Sequence, residues 1–241
     1  MRLIILCANM PASLTIIRYP QKFIPFAFLA MAVFRLPLSL NKNISFYKLM
    51  GCGKNGTFDK QPDLQQWAIL AIHHRSVNSI QDRLGNFIFK WFKKFDCEIY
   101  TILLQPLEGR GTWDGNEVFG KLPLKSDYAG PVATLTRATI RLDKLKYFWQ
   151  HVAPVANKLQ TANGFLLSVG IGEVPWIKQA TFSVWQSKED MINFAYQMKE
   201  HTEVIRKTRK QRWYSEDMFV RFAIAGSEGT LKGKDPLQGI M

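Results

Sequence analysis

The segment from Ala195 to Asp217, AYQMKEHTEVIRKTRKQRWYSED, holds one histidine among six basic residues. Ser187 and Asp190 form a capping box, which predicts a helix over 188–209. At about 100° per residue, His201 falls inside an apolar arc of this helix, and most of the positive charge falls outside it. The arc is shared by Met191, Phe194, Met198, Val204 and Ile205.

An imidazole on a buried helix face needs a partner, because an unpaired buried polar group is costly. A backbone carbonyl or a metal would satisfy His201. A zinc site of the His-x-x-x-His type is excluded, because no second histidine stands three or four residues away. A single imidazole is what a haem iron requires, since the porphyrin supplies the other four nitrogens. The spacing leaves both interpretations open: a core histidine or an axial ligand.

Other polar residues also have two interpretations. Arg137 alternates with Leu135 on a predicted strand, so it is either a buried cation that needs a carboxylate or a propionate, or a surface arginine. Arg209 follows His201 by about two helical turns and is a second candidate for a propionate. Trp176 and Gln179 lie in GIGEVPWIKQATFSVW (170–185) and either point at a pocket with Glu173 or pack a turn. The glycines of this stretch do not open a helix, so they predict a turn or a close backbone approach, not a phosphate site.

Several function classes find no support in the sequence. The G-x-S-x-G, P-loop and H-E-x-x-H motifs are missing, which argues against a hydrolase or a kinase. Three widely spaced cysteines without a C-x-x-C pair indicate a reducing cytoplasm and no structural zinc. The net charge of +13 is spread along the chain without a nucleic-acid-binding motif. An acidic protein partner or an anionic membrane surface fits this charge better than nucleic acid.

Hydrophobic periodicity and turn residues predict the same order of elements, βαββαβ, in each half of the chain. Phe46 precedes Gly51 by five residues, as Phe165 precedes Gly170. We therefore predict two ferredoxin-like halves that form an α+β barrel within one chain; a single irregular α+β domain is the alternative. The predicted strands are 13–20, 43–53, 64–73, 97–106, 131–141, 164–172, 180–187 and 218–226. The predicted helices are 23–36, Ser76 to Phe92, 142–159 and 188–209.

These elements predict four regions: an N-terminal half (1–106), a linker or long loop (107–130), a C-terminal half (131–226) and a flexible tail (227–241). The apolar run 23–34 is shorter than the roughly twenty residues that a spanning helix needs. We expect it to be a buried helix that ends before Pro37. MRLIILCAN is too short for a signal peptide, and Met10 is an alternative start of translation.

Six stretches of the sequence together carry a family resemblance. They are FYKLMGCG (46–53), QWAIL (66–70), RGTWDG (110–115), PVATLTRATIR (131–141), GIGEVPWIKQATFSVW (170–185) and HTEVIRKTRKQRWYSEDMFVRF (201–222). In these stretches the chain resembles the spheroidene monooxygenase family of carotenoid biosynthesis, over about residues 13 to 230. The resemblance implies a haem b protein that receives electrons from ferredoxin, uses O2 and hydroxylates an acyclic or related carotenoid near its end group, with a ketone after a second round.

The resemblance makes His201 the candidate axial ligand of the haem iron, and no catalytic residue is assigned beyond the haem. It also implies a cytoplasmic enzyme that contacts the membrane peripherally. Two alternatives stay open: another haem enzyme on the same fold, aldoxime dehydratase-like or haem-degrading, and a haem-free protein that binds an apolar ligand. The other candidate haem contacts are Arg137, Arg209, Phe194, Met198, Ile205, Trp176, Gln179 and Trp185.

Overall fold

A computed structural model describes residues 10–56, 61–77, 79–150, 159–197, 207–208 and 210–240, without the side chains of residues 55, 196 and 197. All eight predicted strands are present. They are β1 (Ala12–Arg18), β2 (Ile44–Gly53), β3 (Pro62–His73), β4 (Glu98–Gly111), β5 (Val132–Ile140), β6 (Phe165–Val174), β7 (Lys178–Trp185) and β8 (Tyr214–Gly229).

The described residues include five α-helices with assigned bounds: α1 (Ile24–Val33), α2 (Arg35–Leu40), α3 (Ile80–Leu84), α4 (Asn86–Lys94) and α5, which is described over Lys188–Gln197. The predicted helix 142–159 begins as a 3-10 turn, Leu142–Lys144, and is helical over 145–150. Its expected bend at Pro154 lies outside the described residues. Residues 198–206 and 209 of the predicted helix 188–209 also lie outside them.

The eight strands close into an antiparallel barrel in the order β1-β3-β2-β6-β7-β5-β8-β4. The first half reads β4-β1-β3-β2 and the second reads β8-β5-β7-β6, so the two halves have the same strand order. This order belongs to the βαββαβ unit in both halves. The predicted α+β barrel of two ferredoxin-like halves is confirmed.

The halves meet along two seams. At one seam, β4 pairs with β8 from Tyr100↔Gly229 to Gly111↔Met218. At the other, β2 and β6 pair only through Gly51↔Gly172 and Cys52↔Ile171. The two Gly-x-Gly stretches therefore lie against each other. At Gly172 an added Cβ would come within 3.1 Å of the Lys178 carbonyl oxygen, which agrees with the second of the two roles predicted for the glycines of 170–185, a close backbone approach.

The barrel interior is a packed apolar core. Eight strands leave a lumen just wide enough for side chains, and inward-facing residues of both halves fill it. Phe119 and Leu237, from segments outside the strands, close it. Strand residues in this core include Leu14, Ile16, Leu70, Ile102, Leu135, Val169, Phe182, Val220 and Phe222.

The outer face of the N-terminal half is covered by α1 to α4. Ala27, Ala30 and Phe34 pack with Ile17 and Ile69 of the sheet. Leu38, Leu84, Ile88 and Phe92 extend this layer. On the C-terminal half, two smaller clusters stand between sheet and helices, one around Trp213 and Phe148 and one around Trp185 and Met191.

Two helix predictions need correction. The helix over 23–36 is divided at Phe34, and Pro37 lies in the first turn of α2, where no backbone donor is needed. The segment is also only partly buried, since Phe28 and Leu36 are exposed. The helix expected from Ser76 starts later, capped by Ser79, whose hydroxyl accepts from the Asp82 N–H. It is interrupted at Gly85, which has a φ of 94°.

Strand ends also differ from expectation. β4 continues past Pro106 through a bulge and reaches Gly111, because an irregular pairing spares the proline a ladder hydrogen bond. β8 continues to Gly229. The segment after it packs on the barrel instead of being loose: Leu237 is buried, and Tyr100 Oη donates to Asp235. The boundaries of the four predicted regions remain a proposal.

His73 makes folding stability depend on pH. Its ring is buried and bonded to the Ser13 hydroxyl at 2.9 Å. Burial, together with the charge of Arg83, lowers the pKa of His73 from 6.5 to about 4. The unfolded chain therefore takes up a proton first, so stability is complete above pH 6.5 and falls between pH 6.5 and 4, by about 3 kcal/mol. Urea unfolding at pH 7 and pH 4.5 measures this loss. In His73→Gln the slope of the free energy of unfolding against pH should nearly vanish over this range. An unchanged slope would contradict the assignment of this pH dependence to His73.

Candidate functional site

The residues that drew attention in the sequence fall in two places. One is a group of charges at an end of the barrel, which we call the charge cluster. The other is the outer face of the C-terminal sheet, against one end of which α5 packs. Because apolar side chains fill the barrel lumen, a ligand as large as a haem has to bind outside it. The charge cluster comprises Lys48, Trp113, Asp114, Arg137, Glu173, Lys178 and Glu216.

Arg137 is the buried centre of the charge cluster. It lies on the inner face of β5 with Leu135 and is 1% exposed. Its Nη1 donates to Glu216, and its Nη2 lies 3.4 Å from Asp114 Oδ1 and 3.7 Å from Glu173 Oε1. The surface alternative for Arg137 is therefore wrong. Its anions are carboxylates of the chain itself, on the sheet face opposite α5.

The remaining members complete a balanced set of three cations and three carboxylates. Lys48 Nζ lies 2.5 Å from Asp114 and 2.7 Å from Glu173, and Lys178 Nζ lies 2.7 Å from Asp114. Trp113 Nε1 donates to Glu173 at 2.8 Å. Glu173 is thus neither solvated nor directed at a pocket.

Two carboxylates of this cluster, Asp114 and Glu216, are held in the ionised form. Burial alone would raise the pKa of Glu216, but the Gly115 N–H, Arg137 and Thr112 outweigh it and lower the pKa to about 2. Burial also opposes ionisation of Asp114, and hydrogen bonds from Lys178 and Lys48 lower its pKa to about 2. Because the charges cancel and members come from β2, the 112–115 segment and all four C-terminal strands, the cluster acts as a structural lock.

The α5-facing side of the C-terminal sheet is different in character. Its side chains are small where the corresponding face of the N-terminal half carries Ile17, Ile69 and Trp67. Strand register places Thr136 beside Thr181, and Thr181 beside Gly170. Thr136 is exposed although it lies in the middle of β5 between buried neighbours. We call this surface the small-residue face; it consists of Thr134, Thr136, Ala138, Ser168, Gly170, Gly172, Thr181 and Ser183.

Two buried polar atoms at the edge of this face lack a hydrogen-bond partner. Thr134 Oγ1 is one, and Nε of Arg221, which pairs directly with Thr134, is the other. The Nη1 of Arg221 donates to Glu108, which also accepts from Lys188 Nζ at 2.8 Å and from the Ser126 N–H at 2.6 Å. Buried polar atoms without partners are uncommon and call for an explanation, such as a bound group.

Aromatic side chains close one end of the small-residue face. Trp185 is buried, and its Nε1 donates to Ser183 Oγ at 3.0 Å. Its ring centroid lies 5.2 Å from that of Phe194 on α5 and 5.7 Å from that of Phe165. Met191 packs in the same cluster. Two predicted site residues, Trp185 and Phe194, are therefore in contact.

The other predicted site residues are dispersed. Trp176 is more than half exposed in the turn between β6 and β7, has a φ of 64°, and accepts a hydrogen bond from Trp149 on its carbonyl. The Gln179 side chain folds across Gly172 and donates to the Val174 carbonyl at 3.1 Å. Met198, His201, Ile205 and Arg209 lie outside the described residues.

Sequence reasoning missed Thr134, Thr136, Thr181 and Arg221. The signal was present: on two predicted strands every second residue is small, as Thr134, Thr136 and Ala138 show on β5. Small residues on one face of a sheet leave room for a bound group to pack against that face. Among the residues that the structure describes, no three His, Cys, Asp or Glu side chains are grouped to hold a metal ion.

No protein-family model matches the chain. A spheroidene monooxygenase of Rhodobacter capsulatus is 32% identical over 228 residues, which cover 94% of this chain and 95% of that protein. The chain belongs to the spheroidene monooxygenase family. A second member of the spheroidene monooxygenase family, from Cereibacter sphaeroides, is 34% identical over 193 residues, which are 80% of this chain and 59% of that longer one. The protein of Rubrivivax gelatinosus is 33% identical over 189 residues, 78% of this chain and 72% of its own.

Solved structures with the same fold are far more distant in sequence than these spheroidene monooxygenases. An aldoxime dehydratase crystallised with butyraldoxime aligns with a TM-score of 0.60 at 8% identity and covers 90% of this chain and 79% of its own. Another aldoxime dehydratase gives 0.58 at 8% identity, over 89% and 81%. At this identity the likeness establishes the α+β barrel only.

Proposed function

We propose that this protein is a haem-dependent monooxygenase that hydroxylates, and in a second round ketolates, an acyclic or related carotenoid near its end group. O2 is the oxidant and ferredoxin delivers the electrons. Membership of the spheroidene monooxygenase family supports the oxygenase class and the carotenoid substrate. The observation that carries the site is the small-residue face, with Thr136 exposed at its centre.

The described residues fit a haem b on this face. A flat macrocycle needs a flat surface, and glycine, alanine, serine and threonine side chains on three adjacent strands provide one. Thr134 Oγ1 and Arg221 Nε, the unpartnered atoms at its edge, would donate to a bound polar group. Trp185 and Phe194 supply an apolar wall.

His201 is the proposed axial ligand, and its position in the sequence agrees with this face. In the helix that the sequence predicts over 188–209, it follows Phe194 by seven residues, which corresponds to roughly 10 Å and two turns on the same side. The same length is about three residues of strand. Trp185 of β7 contacts Phe194. Three to four residues before Trp185 on the same strand are Phe182 and Thr181, and Thr181 belongs to the small-residue face.

A bound haem supplies the activation of O2 and its transfer to an unreactive C–H bond. The chain's own residues bind, orient and exclude water. Trp185 and Phe194 shield one edge of the site. Gln179, Met198 and Ile205 remain proposed contacts, Trp176 a proposed contact at the β6–β7 turn, and Arg209 the proposed partner of a propionate. Arg137 has no part in this site, because the sheet separates it from α5.

The remaining partners follow from charge and from the substrate. A net charge of +13 favours encounter with an acidic electron donor such as ferredoxin. Carotenoids reside in membranes, so we propose a cytoplasmic enzyme with peripheral membrane contact.

An absorption spectrum tests the proposal. The full chain, expressed with haem precursor, should purify with a Soret band and one haem per chain, and His201→Ala should lose or shift that band because the axial imidazole is gone. With ferredoxin, its reductase and O2, acyclic carotenoids should gain one hydroxyl and then a keto group. A purified chain without haem would refute the oxygenase and favour the haem-free binding protein. A haem protein that oxidises no carotenoid but dehydrates an aldoxime would support the dehydratase alternative.

A further inference from the structure

The N-terminal half carries an exposed apolar ridge formed by α1, α2 and the start of α4. Leu36 and Leu40 are 66% and 69% exposed, and Phe28, Leu29 and Phe87 are each about half exposed. We call these five residues the apolar ridge. α1 itself, IPFAFLAMAV, contains no polar side chain. Large contiguous apolar patches on a protein surface mark interaction sites, whereas single exposed side chains do not.

The inner side of the same helices is fixed to the sheet. Ala27, Ala30, Phe34 and Leu38 are buried against strand residues of the N-terminal half. Gln21–Leu40 is, among the described residues, the one helical stretch whose length and composition would suffice to cross a membrane. It could do so only by leaving the barrel and exposing that inner side. The ridge is therefore suited to lie along a surface.

Charge distinguishes the occupants of such a surface. The first 58 residues contain no Asp or Glu, and Lys22, Arg35 and Lys42 border the ridge along the chain. Lys90, Lys93 and Lys94 on α4 add to this rim. A second copy of the chain placed on the ridge would bring the two positive rims together. Anionic lipid headgroups complement them, and each basic residue near such a surface adds to binding.

We propose that the apolar ridge inserts into one leaflet of an anionic phospholipid bilayer, with α1 and α2 parallel to the membrane plane and the lysine rim on the headgroups. Binding of this type scales with buried apolar area and with the attraction of basic residues to anionic lipid. This inference rests on the proposed function only for its peripheral membrane contact, to which it assigns a surface of the protein.

The barrel order determines what this docking leaves free. β1 and β3, under α1, stand four positions away from β7 and β5 in the closed ring of eight. The ridge and the small-residue face therefore lie on opposite sides of the molecule. A docked chain would leave its C-terminal half accessible to a soluble electron donor.

Sedimentation with vesicles tests the proposal on the full chain. We expect strong binding to phosphatidylcholine vesicles that contain phosphatidylglycerol, and at least tenfold weaker binding to pure phosphatidylcholine or in high salt. Phe28→Asp with Leu36→Asp should lower binding to the anionic vesicles at least tenfold. The matched control is Leu142→Asp, at a leucine of the C-terminal half that is 71% exposed; it should bind like the parent. Lys90→Gln, Lys93→Gln and Lys94→Gln together should weaken binding and its salt dependence.

Three outcomes would overturn the proposal. The ridge variants could bind vesicles like the parent while retaining their circular dichroism and melting temperature. Light scattering could show a dimer that Leu36→Asp dissociates, which would make a second copy the occupant. A chain that starts at Met10 could lose vesicle binding while the ridge variants keep it, which would assign binding to residues 1–9. None of these measurements uses the reaction: a chain that binds vesicles but holds no haem would refute the oxygenase alone.

Discussion

Replacement of Arg137 by methionine should lower the free energy of unfolding by about 3 kcal/mol, because removal of one partner leaves buried charges uncompensated. Methionine keeps much of the side-chain length, so the loss reports charge more than packing. Arg137 contacts three carboxylates, Asp114, Glu173 and Glu216, and its guanidinium also lies over the Trp113 ring, 5.4 Å from the centroid. Urea unfolding at pH 7 measures the change.

Lys178→Met is the matched control for this experiment. Lys178 is about one-third exposed, and among the described residues its one ion pair is with Asp114, so its loss should cost no more than about 1 kcal/mol. A double-mutant cycle of Arg137→Met and Glu216→Gln should show coupling, because the second change removes the anion that the first leaves unpaired. Equal losses for Arg137→Met and Lys178→Met, or additivity in the cycle, would show that the charge cluster is not the lock inferred here.

Arg137→Met should also change how the free energy of unfolding depends on pH below pH 4.5. The pKa of Glu216 is about 2 in the folded chain and 4.5 as a free side chain. A carboxylate with a lowered pKa contributes stability above its unfolded pKa, and that contribution disappears as the pH falls from 4.5 through about 2. Without Arg137 the folded pKa should move back toward 4.5, so the fall in this window should become shallower.

The architecture could be predicted from sequence because the signals that define it are local. Alternating apolar residues mark each strand, and the Phe-to-Gly spacing of 46–51 recurs at 165–170, so the duplicated βαββαβ order follows. Element ends were predicted less well where a distant partner decides. β4 passes Pro106 because β8 offers a bulged pairing there. The helix breaks at Gly85 because this glycine has a φ of 94°. Glycine can adopt positive or negative φ, so its presence in the sequence alone does not predict a break.

The site could be predicted only in part, because its partners come from separate segments. Arg137 can be buried because it pairs with Asp114 and Glu216, and these carboxylates lie 23 and 79 residues away along the chain. Trp185 and Phe194 could be placed together, since a tight turn joins β7 to α5. The small-residue face extends over three strands whose register no single stretch encodes, so Thr136, Thr181 and Gly170 became a surface only once the strands were paired.

Replacement of Thr136 by phenylalanine should abolish haem binding and leave the fold intact. Thr136 is exposed at the centre of the small-residue face, so a phenyl ring has room to stand there without displacing the core. That ring would occupy the space in which a haem would lie against the sheet. The Soret band of the purified chain should fall at least tenfold, and the melting temperature measured without added haem should stay close to that of the parent.

Thr136→Val is the control, because it keeps the volume and shape of threonine and removes only the hydroxyl. It should retain the haem. Together with His201→Ala, the pair distinguishes the location of a ligand from its identity: loss in both variants would place the group between residue 201 and β5. If Thr136→Phe retained haem with an unchanged spectrum while His201→Ala lost it, the haem would lie off this face and the small side chains would need another explanation. Because Thr136 and His201 are 65 residues apart, a shared loss of the Soret band is difficult to attribute to a local disturbance at either site.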